Sequence, residues 1–187
     1  METFSSILLG IGLSAATGFR IFVPFVVASI ASLLGYLPLS SGFEWIGTYQ
    51  ALIAFSAATL LEILAYYIPW FDNLLDTIAT PAAFIAGGVL MVAVLSGIPP
   101  LYKWALVIIA GSGAAGIVQT GTTITRAAST TTTGGLANPV VSTVEAGSSF
   151  VLSIIAILIP VFAGLISIIL VIWLSRKLIK KFKRIKS

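Results

Sequence analysis

Residues 119–149 read QTGTTITRAASTTTTGGLANPVVSTVEAGSS and stand apart from the chain around them. The stretch is rich in Thr, Ser and Gly and carries Arg126 and Glu145, so it is too polar to face lipid. It is also too apolar and too Gly-studded for a solvated charged loop. Backbone that leaves a helix at membrane depth is tolerated only where it packs in protein or lines a wet cavity. Residues 119–148 are therefore expected to form a re-entrant or broken-helix element, entered through AGSGAAG at 110–116 and rejoining the last helix near Glu145. The alternative is an external Thr-rich loop.

The flanking sequence supplies the membrane. A bilayer core of about 30 Å takes roughly 20 apolar residues as a helix. Residues 21–37, 51–68, 74–95 and 149–174 meet that need, 101–118 falls slightly short, and 4–16 is shorter still. Across the chain 58% of residues are hydrophobic and 9% charged, against roughly a quarter charged in a soluble domain. A soluble globular or disordered protein is excluded. The pattern predicts an all-α, polytopic helical bundle of about six spans over residues 1–175, with a basic tail at 176–187. Near its start the chain carries Glu2 and no basic residue, which is not the pattern of a cleaved signal peptide.

Seven of the ten Lys/Arg residues (Arg176, Lys177, Lys180, Lys181, Lys183, Arg184 and Lys186) fall in the last twelve positions. The net charge of +4 thus belongs to a tail, and no basic face for nucleic acid exists. Such a tail is expected on the cytoplasmic side. Counting six crossings back from it puts both termini in the cytoplasm and Lys103 on the same side. The tail alternates apolar and basic residues, so anionic lipid is a second expected partner. The chain has no Cys and no His, which removes thiolate and imidazole chemistry, and no cofactor is expected.

The remaining polar groups are few enough to name. A charge within a membrane span costs a few kcal/mol on insertion scales and usually faces an interior or a cavity. Arg20 follows the first apolar stretch, Glu62 lies within 51–68, Asp72, Asn73 and Asp76 open the next, and Arg126 and Glu145 bracket the Thr-rich element. Glu62 either pairs with Arg20 or Arg126 or binds a proton or cation; Tyr66 follows it on roughly the same helical face. Asp72 and Asn73 suit a helix N-cap. Asp76 lies one turn deeper, shares its face with Thr80, and precedes Pro81. Asn138, Thr143 and Glu145 form a second oxygen-rich group. Oxygen donors of these kinds suit a hard cation or a proton, with Asp76 and Glu62 the best carboxylates for it. The two arginines equally suit an anionic group.

A faint echo pairs Gly12–Ala16 with Gly111–Ala115, and Thr80-Pro81 with Asn138-Pro139. Paired interruptions of this sort point to repeat-built transporters. Three longer motifs, GLSAATGFRIFVPF (12–25), YYIPWFDNLLDTIATP (66–81) and TTGGLANPVVSTVEAG (132–147), resemble a family of small bacterial integral membrane proteins known only as a domain of unknown function. The resemblance implies a multi-pass inner-membrane protein and no activity. From the residues themselves, translocation of a small ion or solute is the leading expectation, with a cation or proton favoured and a homo-oligomer as its form. The alternatives are a scaffold or lipid-organising protein and, behind it, an Mg-dependent enzyme acting on a lipid-linked substrate.

Overall fold

The computed structural model describes residues 3–68 and 71–186, with the side chains of 71–74 and 181–186 outside that description. Among the described residues the chain is all-helical: α1 (Thr3–Thr17), α2 (Val23–Leu33), a 3₁₀ turn (Glu44–Gly47), α3 (Tyr49–Tyr66), α4 (Phe71–Val94), α5 (Pro100–Leu106), α6 (Gly113–Thr133), α7 (Asn138–Leu158) and α8 (Pro160–Lys186). A π-helical turn, Val107–Ser112, joins α5 to α6, giving one rod of 34 residues. Five helices are long and apolar enough to cross a membrane: Tyr49–Tyr66, Leu75–Val94, Pro100–Thr133, Asn138–Leu158 and Pro160–Lys180.

α1 and α2 are 15 and 11 residues long, too short for a full crossing each. They meet inside the bundle. Gly12 packs on Ala156 and Ala163, Ser149 donates to the Ala16 carbonyl, and Arg20 reaches Ser142, so α7 runs antiparallel to α1. α2 then doubles back along the second half of α7, where Val27, Ile30, Ala31 and Leu34 face Phe150, Ile154, Ile157 and Leu158. By Ser40, whose N–H donates to the Ala93 carbonyl, the chain has returned to the level of Gly10. In place of the stretches 4–16 and 21–37 the structure thus has two short apolar helices, Thr3–Thr17 and Val23–Leu33, that double back on one another.

The reversal needs Gly18. A Cβ there would stand 2.5 Å from the Val118 Cβ and 2.6 Å from the Ala115 carbonyl oxygen. A backbone oxygen cannot swing aside, so Gly18→Ala is expected to cost about 1–3 kcal/mol as overpacking. Gly147 on α7 has nothing within 4 Å of its ideal Cβ, and Gly147→Ala is expected to leave stability within about 1 kcal/mol or raise it. Thermal unfolding of the two variants in detergent compares them directly; equal melting temperatures would contradict the close packing at Gly18.

The Thr-rich segment is helical on both sides of one tight turn, and the chain rejoins a helix at Asn138, two turns before Glu145. Its hydroxyls are satisfied by the helix itself: Thr120 donates to Gly116, Thr125 to Gly121, Thr132 to Ala128 and Thr133 to Ser129, at 2.7–2.9 Å. Hydroxyls bonded back to i−4 carbonyls let a polar sequence remain helical at depth. The helix stops at Gly134 and Gly135, whose φ values of 63° and 89° suit glycine. Pro139 then opens α7, whereas Pro81 lies inside α4, so the two Pro-bearing members of the echo occupy different settings.

The expected single span at 149–174 is two helices. Pro160 has no N–H to continue α7, and the residue before it, Ile159, adopts φ −136°, ψ 68°. α8 begins with Gly164 against Leu8 of α1 and later lies beside Ile124 and Thr125 of α6 through Trp173, Leu174 and Lys177. The basic tail therefore leaves the bundle at the end opposite the start of α1. The turn at Pro160 adds a reversal to the path of the chain, and Lys103 and the tail lie at opposite ends of the bundle.

Candidate functional site: a buried ionic cluster

Four helices and the α1–α2 turn bring their charged residues to one level of the bundle. Arg20 sits in the turn, Glu62 and Tyr66 in the last turns of α3, Asp76 early in α4, Arg126 in α6 and Glu145 in α7. Arg20 and Arg126 are 1% and 2% exposed, the two largest fully buried side chains described, and Glu145 is 5% exposed. Arg20 Nη2 lies 3.2 Å from Glu145 Oε2. Arg126 Nη2 lies 3.0 Å from Asp76 Oδ1, and its Nε lies 3.4 Å from Glu145 Oε1. Neither Glu145 oxygen is aligned for a hydrogen bond among the described residues, so Glu145 holds the two arginines by charge more than by directed bonds.

Tyr66 is the organising aromatic. The guanidinium carbons of Arg20 and Arg126 lie 4.0 and 4.1 Å from the centre of its ring. That contact is worth about 2 kcal/mol or more where the cation is desolvated. It also accounts for the burial of Arg20 Nε and Nη1 and Arg126 Nη1 without hydrogen-bond partners among the described residues. The Tyr66 hydroxyl donates to Asp76 Oδ1 at 3.4 Å. Arg20 Nη2 also donates to the Ser142 carbonyl at 3.2 Å and to the Ser142 hydroxyl, and Arg126 Nη2 to Thr122 at 3.4 Å.

Glu62 plays a different part. Its two oxygens accept from the backbone N–H groups of Ile21 (2.8 Å) and Phe22 (3.1 Å), at the start of α2. Helix N-termini carry unsatisfied donors and a partial positive charge, and α2 has no side-chain cap of its own. Glu62 thus caps α2 from across the bundle. It takes part in no ion pair within 4 Å among the described residues.

Of the residues expected from the sequence, Arg20, Glu62, Asp76, Arg126 and Glu145 converge. Asn138 opens α7 and donates to Thr130 at 2.9 Å, bridging the α6–α7 turn. Thr143 is exposed and bonds the Tyr67 hydroxyl at 2.6 Å. Among the described residues Thr80 makes none of the contacts that hold the cluster together. Asp72 and Asn73 lie in the first turn of α4, and their side chains fall outside the described residues. Tyr66 and Ser142 were not foreseen as site residues. The signal for Tyr66 was its i+4 spacing from Glu62; Ser142 carried none. Among the described residues no group of three Asp or Glu side chains is arranged to hold a metal ion. Both arginines already face carboxylates, which leaves little of their charge for an anionic ligand.

Two clefts flank the cluster. One, of about 480 Å³, lies between α3 and α4 with Glu62 and Tyr66 on its wall. The other, of about 350 Å³, lies among α6, α7 and α8 and is bordered by Glu145, Thr122 and Trp173.

Residues 7–180 match the model of a family described as a domain of unknown function, DUF4126. The chain belongs to that family. The match takes in all of the clustered residues and both clefts, so the site lies wholly within the DUF4126 region. No curated protein and no solved structure matches the chain.

Proposed function

We propose that the chain translocates a small cation or solute across a membrane in a proton-coupled manner, with the Arg20–Glu145–Arg126–Asp76 network as the coupling device. The observation that carries this reading is the composition of the cluster: three carboxylates and two arginines meet at one level, drawn from four helices and the α1–α2 turn. Buried ion pairs are weak stabilisers compared with well-packed apolar side chains, and charges within membrane spans mark ion pathways and relays. Protonating Asp76 or Glu145 would release an arginine, and the ion pairs of two helices would then be free to exchange.

α3 is the natural moving part. Only Ala51 and Tyr66 of its 18 residues are buried. At the level of the cluster it is held by Glu62, Tyr66 and Tyr67, all polar contacts. On this reading the protein works in the bacterial inner membrane, with the basic tail cytoplasmic and against anionic lipid. The cluster then lies toward the cytoplasmic ends of the helices, and association of copies would use their small-residue faces.

A static pin that fixes helix packing is the competing reading, favoured by the pairing of both arginines with carboxylates. Flux in proteoliposomes under imposed Na⁺, K⁺ and pH gradients separates them. Asp76→Asn keeps an acceptor for the Tyr66 hydroxyl and removes the charge. Translocation predicts wild-type flux that falls at least tenfold in a variant that still purifies as folded protein. A pin predicts no wild-type flux under any gradient and a lowered melting temperature in the variant.

A further inference from the structure

We propose that the cleft between α3 and α4 is a binding site for a lipophilic organic cation, entered sideways from the membrane, with Glu62 as its counter-charge. The inference rests on the translocation reading only for its purpose; the site itself stands on geometry and charge.

The first argument is charge balance. Among the described residues the cluster holds three carboxylates and two arginines, and the ion pairs use Asp76 and Glu145. Glu62 is the carboxylate outside the ion pairs: it bonds two backbone N–H groups and, among the described residues, the arginines act on it only from beyond 4 Å. A single positive charge therefore completes the cluster, and the place for it is beside Glu62.

The second argument is the wall. The cleft is lined by apolar side chains such as Leu61, Ile78 and Ala82, with Glu62 and Tyr66 the polar-tipped exceptions. Its volume of about 480 Å³ is far beyond a bare ion, for which the space of one water is about 30 Å³. It lies within the roughly 300–1,000 Å³ of sites for organic ligands. An aqueous inorganic ion would find one carboxylate there and few oxygens to replace its hydration shell. An aromatic or alkyl cation would bury its apolar bulk on the wall and bring its charge to Glu62.

The third argument is access. Leu61 and Ile78, on the α3 and α4 sides of the cleft, are 68% and 58% exposed. Both helices are long and apolar enough to span a membrane. The opening thus faces lipid, in which a lipophilic cation already partitions.

Binding of tetraphenylphosphonium to the full chain in detergent tests the proposal by equilibrium dialysis, with tetraphenylborate as the anion of the same shape. The expected result is saturable binding of the cation, at least tenfold stronger than that of the anion. Glu62→Gln keeps one acceptor for the α2 backbone and is expected to weaken cation binding at least tenfold. Ala82→Leu narrows the cleft without touching a charge and is expected to weaken it similarly, so the test survives if the Glu62 variant fails to fold. No saturable binding, equal binding of the borate, or binding unchanged in a folded Glu62→Gln or Ala82→Leu variant would each overturn the proposal. Saturable binding without flux in liposomes would leave this site standing and remove translocation. Proton flux without binding would do the reverse.

Discussion

Replacing Arg126 with alanine is expected to cost about 3–5 kcal/mol of stability, the range for breaking one side of a buried ion pair. Arg126 serves two carboxylates, at 3.0 Å on Asp76 and 3.4 Å on Glu145, and lies 4.1 Å from the centre of the Tyr66 ring. Its removal leaves Asp76 without a guanidinium in a position 11% exposed and frees one face-packed contact of Tyr66. Arg126→Lys should recover only part of the loss, because an ammonium is a point charge that cannot both stack on a ring and bridge two carboxylates. The double variant Asp76→Ala/Arg126→Ala should lose less than the sum of the two single changes, with a coupling of about 1–3 kcal/mol for residues in contact. Reversible unfolding in mixed detergent micelles measures all four proteins. A cost below about 1 kcal/mol for Arg126→Ala would mean that water reaches the cluster and the charges are not held dry.

The second large effect is expected at Glu62, and it divides by substituent. Glu62→Ala removes the acceptor for the N–H groups of Ile21 and Phe22. Each orphaned donor costs about 1–3 kcal/mol where water cannot replace the partner. α2 has no other side-chain cap and is only 11 residues long, so the loss should be felt along its whole length. Hydrogen exchange should speed up in residues 21–33 before it does in α4 or α7. Glu62→Gln should show much less of this, since its amide oxygen still accepts one bond. If alanine and glutamine behaved alike, the cap would not be what holds α2.

These two residues differ in how readily they can be read from the sequence. Arg20, Glu62, Asp76, Arg126 and Glu145 can be named as candidates because an apolar chain with so few charges must account for each one. The roles cannot be read so directly. Glu62 looks like a partner for arginine, yet it caps a helix, because the donors that need it belong to a turn 40 residues away in the chain. The Thr-rich segment looks like a break in the backbone because composition counts hydroxyls as polar. In the helix those hydroxyls bond to carbonyls one turn back and so are satisfied without leaving the helix.

The amino-acid sequence by itself determined the membrane class, the helical fold and the short roster of buried ionisable side chains, because transfer energies act residue by residue and need no partner to be known. Only the tertiary structure decided the pairings, the doubling-back of α1 and α2 and the end of the bundle at which the tail emerges. Arg20 meets Ser142 across 122 residues of chain, and no local pattern encodes such a contact. The end at which a chain emerges is a matter of parity, so one reversal at Pro160 is enough to carry the tail to the opposite end of the bundle.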